Sequence, residues 1–97
     1  MQGIRGAITV ENDAKEEVLR AVQEMINTIL TENDITSEDV GAAIFSATDD
    51  IKSLFPAFAA RQLPGWDLVP LFDAQQLYIE NSIRKCIRVL LLVNTDK

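Results

Sequence analysis

Along the chain the hydrophobic positions alternate, then repeat at helical spacing, then alternate again. From Gln2 to Val10, Ile4, Ile8 and Val10 share one side of an extended chain and Arg5, Ala7 and Thr9 the other, which predicts a strand. The period then changes. Val18, Leu19, Val22, Met25, Ile26, Ile29 and Leu30 form one apolar stripe, which predicts a helix running to about Glu32 with that face on a core. Asp13 and Glu16 have the spacing of an N-terminal capping arrangement, and Asn33-Asp34 stops the helix before a short turn at Thr36-Ser37. Ala42 to Ala47 reads as a short strand, and Pro56 suits the first position of a short helix through Arg61. Pro64-Gly65 is a turn. Leu68 to Phe72 is strand-like, with Pro70 placing it at an edge or a bulge, and Asp73 to Ser82 is ambiguous. Arg84 to Asn94 is the strongest strand of all, β-branched, apolar and uninterrupted. The order β-α-β-α-β-β predicts an α/β (α+β) fold, a mixed sheet packed with one long and one short helix, in a single domain over residues 1–97.

Composition narrows the chemistry. The chain has 97 residues, 47% apolar and 25% charged, as in ordinary globular proteins, and so short a chain has a thin core that oligomerisation would help. There is no histidine, which removes Ser-His-Asp triads, Cys-His dyads and histidine metal sites. Cys86 is the only cysteine, so no intramolecular disulfide forms, and Met1 to Arg5 carries no leader-like apolar stretch; both fit the cytoplasm. The apolar run Val89 to Val93 is too short to span a bilayer. With 15 acids against 9 bases the net charge is −6, which argues against a nucleic-acid binder. The acids crowd the segments from Glu11 to Glu17 and Glu24 to Asp39 and the pair Asp49-Asp50, whereas Arg5, Arg61, Arg84 and Arg88 lie in or beside apolar segments.

Arg88 carries the clearest signal. By alternation it shares a face with Cys86, Leu90 and Leu92, while Ile87, Val89 and Leu91 line the other, so the strand is expected to be central and buried on both sides. A buried arginine needs an anion, from an internal salt bridge or from a ligand. Arg5 faces the same choice, or simply faces solvent on an edge strand. Gly3 and Gly6 beside it suit close approach of a ligand or backbone, or else a bulge or a crossing neighbour. Arg61 reads as a surface residue or as a third member of an anion site. Asp49-Asp50 reads as a solvated turn ahead of a metal site, and Asp73 with Glu80 as an acid–base pair of unfixed separation. Cys86 reads as core. Phe45, Phe55, Phe58, Phe72 and Trp66 read as packing, with Phe55 the best pocket wall among them.

The segments that carry these arginines resemble a known family. Gly3-Ile4-Arg5-Gly6-Ala7-Ile8-Thr9-Val10, Phe55-Pro56-Ala57 to Arg61, Trp66 to Pro70 and Cys86-Ile87-Arg88-Val89 look, in order and spacing, like the trimeric, pseudo-barrel class of bacterial chorismate mutases. The resemblance implies a homotrimer with sites between neighbouring subunits and the pericyclic conversion of chorismate to prephenate, without cofactor or metal. It implies that Arg88 faces the breaking ether bond, that Arg5 holds a carboxylate, and that Gln76 stands where many relatives carry glutamate. Arg61, Phe55 and Ala57 would come from the neighbour, and Phe72 and Asp73 complete the substrate-binding set. Phe58 replaces a lysine common among relatives. The family normally continues beyond Asn94-Thr95-Asp96 with a site tyrosine and a tail arginine, so reduced activity is expected of a chain written to Lys97. The reading of a different class is a non-catalytic trimeric binder of a small carboxylate.

Overall fold

A computed structural model describes residues 1–94. Its elements follow the expected order: β1 (Gln2–Thr9), α1 (Lys15–Asn33), β2 (Val40–Ala47), α2 (Pro56–Arg61), β3 (Leu71–Gln75) and β4 (Cys86–Val93), with single 3-10 turns at Ser37–Asp39 and Trp66–Leu68. The strands form one mixed sheet in the order β1-β4-β2-β3. β4 runs antiparallel to both its neighbours, and β2 pairs parallel with β3, the α2 segment making the crossover.

The core lies between the sheet and the two helices. From α1, Val18, Val22, Met25, Ile26 and Ile29 meet Ile87, Val89, Leu91 and Val93 of β4 and Phe45 of β2. Trp66, buried to 1% exposure, packs in the same core, and the Gln23 side-chain amide donates to the Ala59 carbonyl at 3.1 Å, tying α1 to α2. Asp34 ends α1 in a left-handed conformation (φ 52°) with its N–H on the carbonyls of the last turn.

Three expectations change, and one open alternative is settled. The strand expected at Leu68 to Phe72 begins three residues later, because Trp66–Leu68 coils to bury the indole and parallel pairing with β2 starts at Ala43 and Leu71. Asp13 does not cap α1. Its carboxylate accepts the Lys52 and Ser53 N–H groups at 2.8 and 3.0 Å, tethering the loop before α2, while Glu17 takes the Glu11 and Asn12 amides at 2.6 and 3.1 Å. At Gly6 the crossing neighbour is the alternative that holds: a β-carbon there would lie 2.7 Å from Ile29 Cδ1 of α1. β4 is central, as expected, but fully buried on one face only: on the other Cys86 is buried, Leu90 and Leu92 are half-buried and Arg88 is exposed. Its second face, with Arg88, Leu90 and Leu92, has no layer over it in the described chain. The expectations for the chain beyond Asn94 lie outside the described residues.

Candidate active site

The open face of the sheet is built by strand alternation. Register places Ala7, Arg88 and Ser46 side by side across β1, β4 and β2, and Arg5, Leu90 and Ile44 in the adjoining row, with Phe72 of β3 beyond Ile44. Arg5 and Arg88 are therefore diagonal neighbours on adjacent strands, a relation that sets residues roughly 7–8 Å apart, with their β-carbons somewhat closer. Together with Ala7, Ile44, Ser46 and Leu90 they line an open cleft of about 520 Å³. Among the described residues neither arginine has an ion-pair partner, and Arg88 is exposed rather than buried against one. Two fixed like charges on a largely apolar floor favour an incoming anion, and a guanidinium offers a carboxylate its planar fork of donors.

Arg61, Phe55, Ala57 and Asp73 are arranged elsewhere. Phe55 precedes α2 and is 72% exposed, beside a second cavity of about 400 Å³ lined by Thr48, Ser53, Pro56, Asp73 and Gln75 among others. The Ala57 methyl is buried, and its N–H donates to Asp73 Oδ1 at 3.0 Å, so Asp73 holds the first turn of α2. Burial pushes the Asp73 carboxyl above its ordinary value of 3.8, with the Ala57 N–H and the charge of Arg61 opposing it. Arg61 occupies the last turn of α2 and is exposed. A single chain thus unites Arg5 with Arg88, and Phe55 with Asp73, but does not bring Arg61 to the first pair. Phe72 lies on the open face with 63% exposure. Of the aromatics read as packing, Phe45 and Trp66 are core, whereas Phe55, Phe58 and Phe72 are exposed.

Gln76 follows β3 directly, its N–H donating to the Ala47 carbonyl at 2.9 Å. It continues the alternation of Phe72 and Ala74, and its Oε1 is buried without a partner among the described residues. Glu80 sits in the exposed loop over 76–85, and Arg84 does not enter the core. Arg84 pairs with Asp49 and Asp50 and lies 5.0 Å from the Tyr78 ring centre, so those two acids serve as anchors for the loop. Asp50 also accepts the Lys85 N–H, and the Thr48 hydroxyl accepts that of Cys86. Nothing in the sequence signalled this cluster, whose partners lie about 35 residues apart. Among the described residues no group of three or more His, Cys, Asp or Glu side chains could hold a metal ion, and no helix is long and apolar enough to cross a membrane.

A mixed sheet packed with one long and one short helix is the fold expected of the family named by resemblance, and comparison establishes the membership. The family described as chorismate mutase type I matches residues 1–97, and the chain belongs to that family. It is 43% identical over 96 residues to chorismate mutase AroH of Bacillus subtilis (strain 168), covering 99% of this chain and 76% of that protein. To chorismate mutase AroH of Thermus thermophilus it is 46% identical over 97 residues, covering 99% and 79%. A solved chorismate mutase structure from Clostridium thermocellum superposes with a TM-score of 0.95 at 35% identity, covering 100% of this chain and 86% of that one.

Proposed function

We propose that this chain, an isomerase of the chorismate mutase family, rearranges chorismate to prephenate in aromatic amino-acid biosynthesis, at a composite site between neighbouring copies in a cytoplasmic homotrimer. The observation that carries the reading is the pair Arg5 and Arg88, diagonal neighbours on an open sheet face and without an ion-pair partner among the described residues. The partly apolar open face, which no layer covers among the described residues, supports association. The separation of Arg61 and Phe55 from that face supports their delivery by an adjacent copy. The buried, solitary Cys86 suits a reducing compartment.

Chorismate is a dianion that must fold so that its two reacting carbons meet, and its ether bond breaks with negative charge gathering on oxygen. Arg5 holds a carboxylate and restricts the substrate's shape. Arg88 faces the ether oxygen, where a fixed guanidinium gains more from the transition state than from the ground state. Gln76 binds the hydroxyl by hydrogen bonding. Phe72, with Phe55 and Arg61 of the neighbour, closes the walls, and Asp73 orients the α2 end that carries them. An acceleration of about a million-fold corresponds to roughly 8 kcal/mol. One preorganised donor supplies about 3–4 kcal/mol, and conformational restriction and the other contacts supply the remainder. Loss of chorismate absorbance, followed beside an Arg88→Ala variant, tests the reading. The parent is expected to consume chorismate and the variant to fall towards background; equal rates would remove Arg88 from the chemistry. Sedimentation is expected to show a trimer, and a stable monomer would undo the composite site.

A further inference from the structure

The end of β2 and the start of β4 are joined by more than the sheet ladder. Thr48 N–H donates to the Cys86 carbonyl at 3.0 Å, but the return bond from Cys86 N–H goes to the Thr48 hydroxyl, also at 3.0 Å. That hydroxyl in turn donates to Asp50 Oδ1. One residue back along the other strand, Lys85 N–H donates to both carboxylate oxygens of Asp50, at 3.1 and 3.0 Å. Lys85 holds a left-handed backbone, φ 48°, which a residue with a side chain adopts only when its surroundings impose it. The same short segment also fixes Gln76, through the Ala47 carbonyl, and stands opposite Arg88, through Ser46.

We propose that Asp50 is a positioning residue for the rearrangement: with Thr48 it sets the register at which β4 enters the sheet, and so the place of Arg88 relative to Gln76. This rests on the roles given to Arg88 and Gln76 above. Register matters because side chains alternate, so a slip of one residue would carry Arg88 from the open face to the core face. The carboxylate is suited to the task, since its two oxygens together receive the Thr48 hydroxyl and the Lys85 N–H. Burial raises the Asp50 carboxyl, but the Thr48 and Lys85 hydrogen bonds and the charge of Arg84 outweigh it and hold the group below its ordinary range. Asparagine has one acceptor oxygen and would turn an NH2 group towards donors.

The test is Asp50→Asn in the whole protein. The expected result is a kcat lower by on the order of 10- to 100-fold, with KM changed much less, as for a misplaced catalytic group. Circular dichroism and sedimentation should match the parent. On an Arg88→Lys background the same substitution should cost no more than about threefold, because two residues that act as one unit are not additive. An unchanged kcat in Asp50→Asn, or losses that multiply fully in the double variant, would overturn the proposal. If Asp50→Asn does not fold, Thr48→Val carries the test, with the same fall in kcat expected and an unchanged kcat overturning it. Full activity in Arg88→Ala would instead count against the site itself, which keeps the two failures apart.

Discussion

The two faces of the sheet share four strands and one backbone, yet only one is closed. On the covered face Ile87, Val89, Leu91 and Val93 of β4 present no polar side chain, and Phe45 packs with them and with α1 in one core. On the other, Leu90 and Leu92 are nearly as apolar, but Arg88 stands among them and Arg5 one strand away. Both faces are hydrophobic enough to be a core. What separates them is a pair of fixed cations that a protein interior could not hold without partners. Removing a side chain should therefore cost stability on the first face and chemistry on the second.

Phe45→Ala should show the largest effect, lowering unfolding free energy by about 3–5 kcal/mol in a denaturant titration. A loss below about 1 kcal/mol would mean the covered face is loosely packed. Arg88→Lys should act on the other side of the divide. Lysine keeps the charge but not the planar fork, so kcat should fall by roughly 10²–10³. The unfolding free energy should meanwhile change by less than about 0.5 kcal/mol. A comparable loss of stability would show that Arg88 belongs to the packing after all.

Gln76→Glu sharpens the comparison further. A carboxylate there offsets positive charge developing on the substrate ring and should raise kcat/KM by about tenfold, worth about 1.4 kcal/mol. An unchanged steady-state rate would show that hydrogen bonding alone suffices at this position. The smallest effect belongs to Asp73, on the helix side. Its raised carboxyl favours the neutral form in the folded chain, so the stability it gives is complete below the ordinary value of 3.8 and is lost as pH rises through the raised value. Asp73→Asn keeps an acceptor for Ala57 N–H and should unfold slightly later than the parent at neutral pH, by less than about 0.5 kcal/mol. Below pH 3.8 the difference should vanish, and a difference that grows with acidity would reverse the assignment.

The element order and the α1 stripe could be read from the chain because both are local periodicities. The face that carries Arg88 was legible for the same reason, but its exposure was not. Leu90 and Leu92 make β4 look doubly buried, and nothing in a one-dimensional pattern says that no second layer covers that face among the described residues. Asp13 looks like a cap in the sequence because its partners, Lys52 and Ser53, lie about 40 residues away. The strand at Leu71–Gln75 starts later than its apolar pattern because Trp66 draws the preceding residues into a turn. The Thr48–Asp50 latch to Lys85 was invisible, since its logic resides in backbone amides and a left-handed residue, neither of which has a sequence signature. The resemblance supplied what periodicity could not, a reason for arginines from separate segments to matter together.

Trp66 is the only tryptophan of the chain, and it is sealed in the core on the helix side of the sheet. Its emission is therefore an optical gauge of folding alone. Excited in isolation, it reports the packing of α1 and α2 on the strands and stays blind to an anion arriving between Arg5 and Arg88. The protein thus carries a built-in fluorophore that reads one face of the sheet and leaves the other dark, so folding and occupancy can be followed as separate signals in one cuvette.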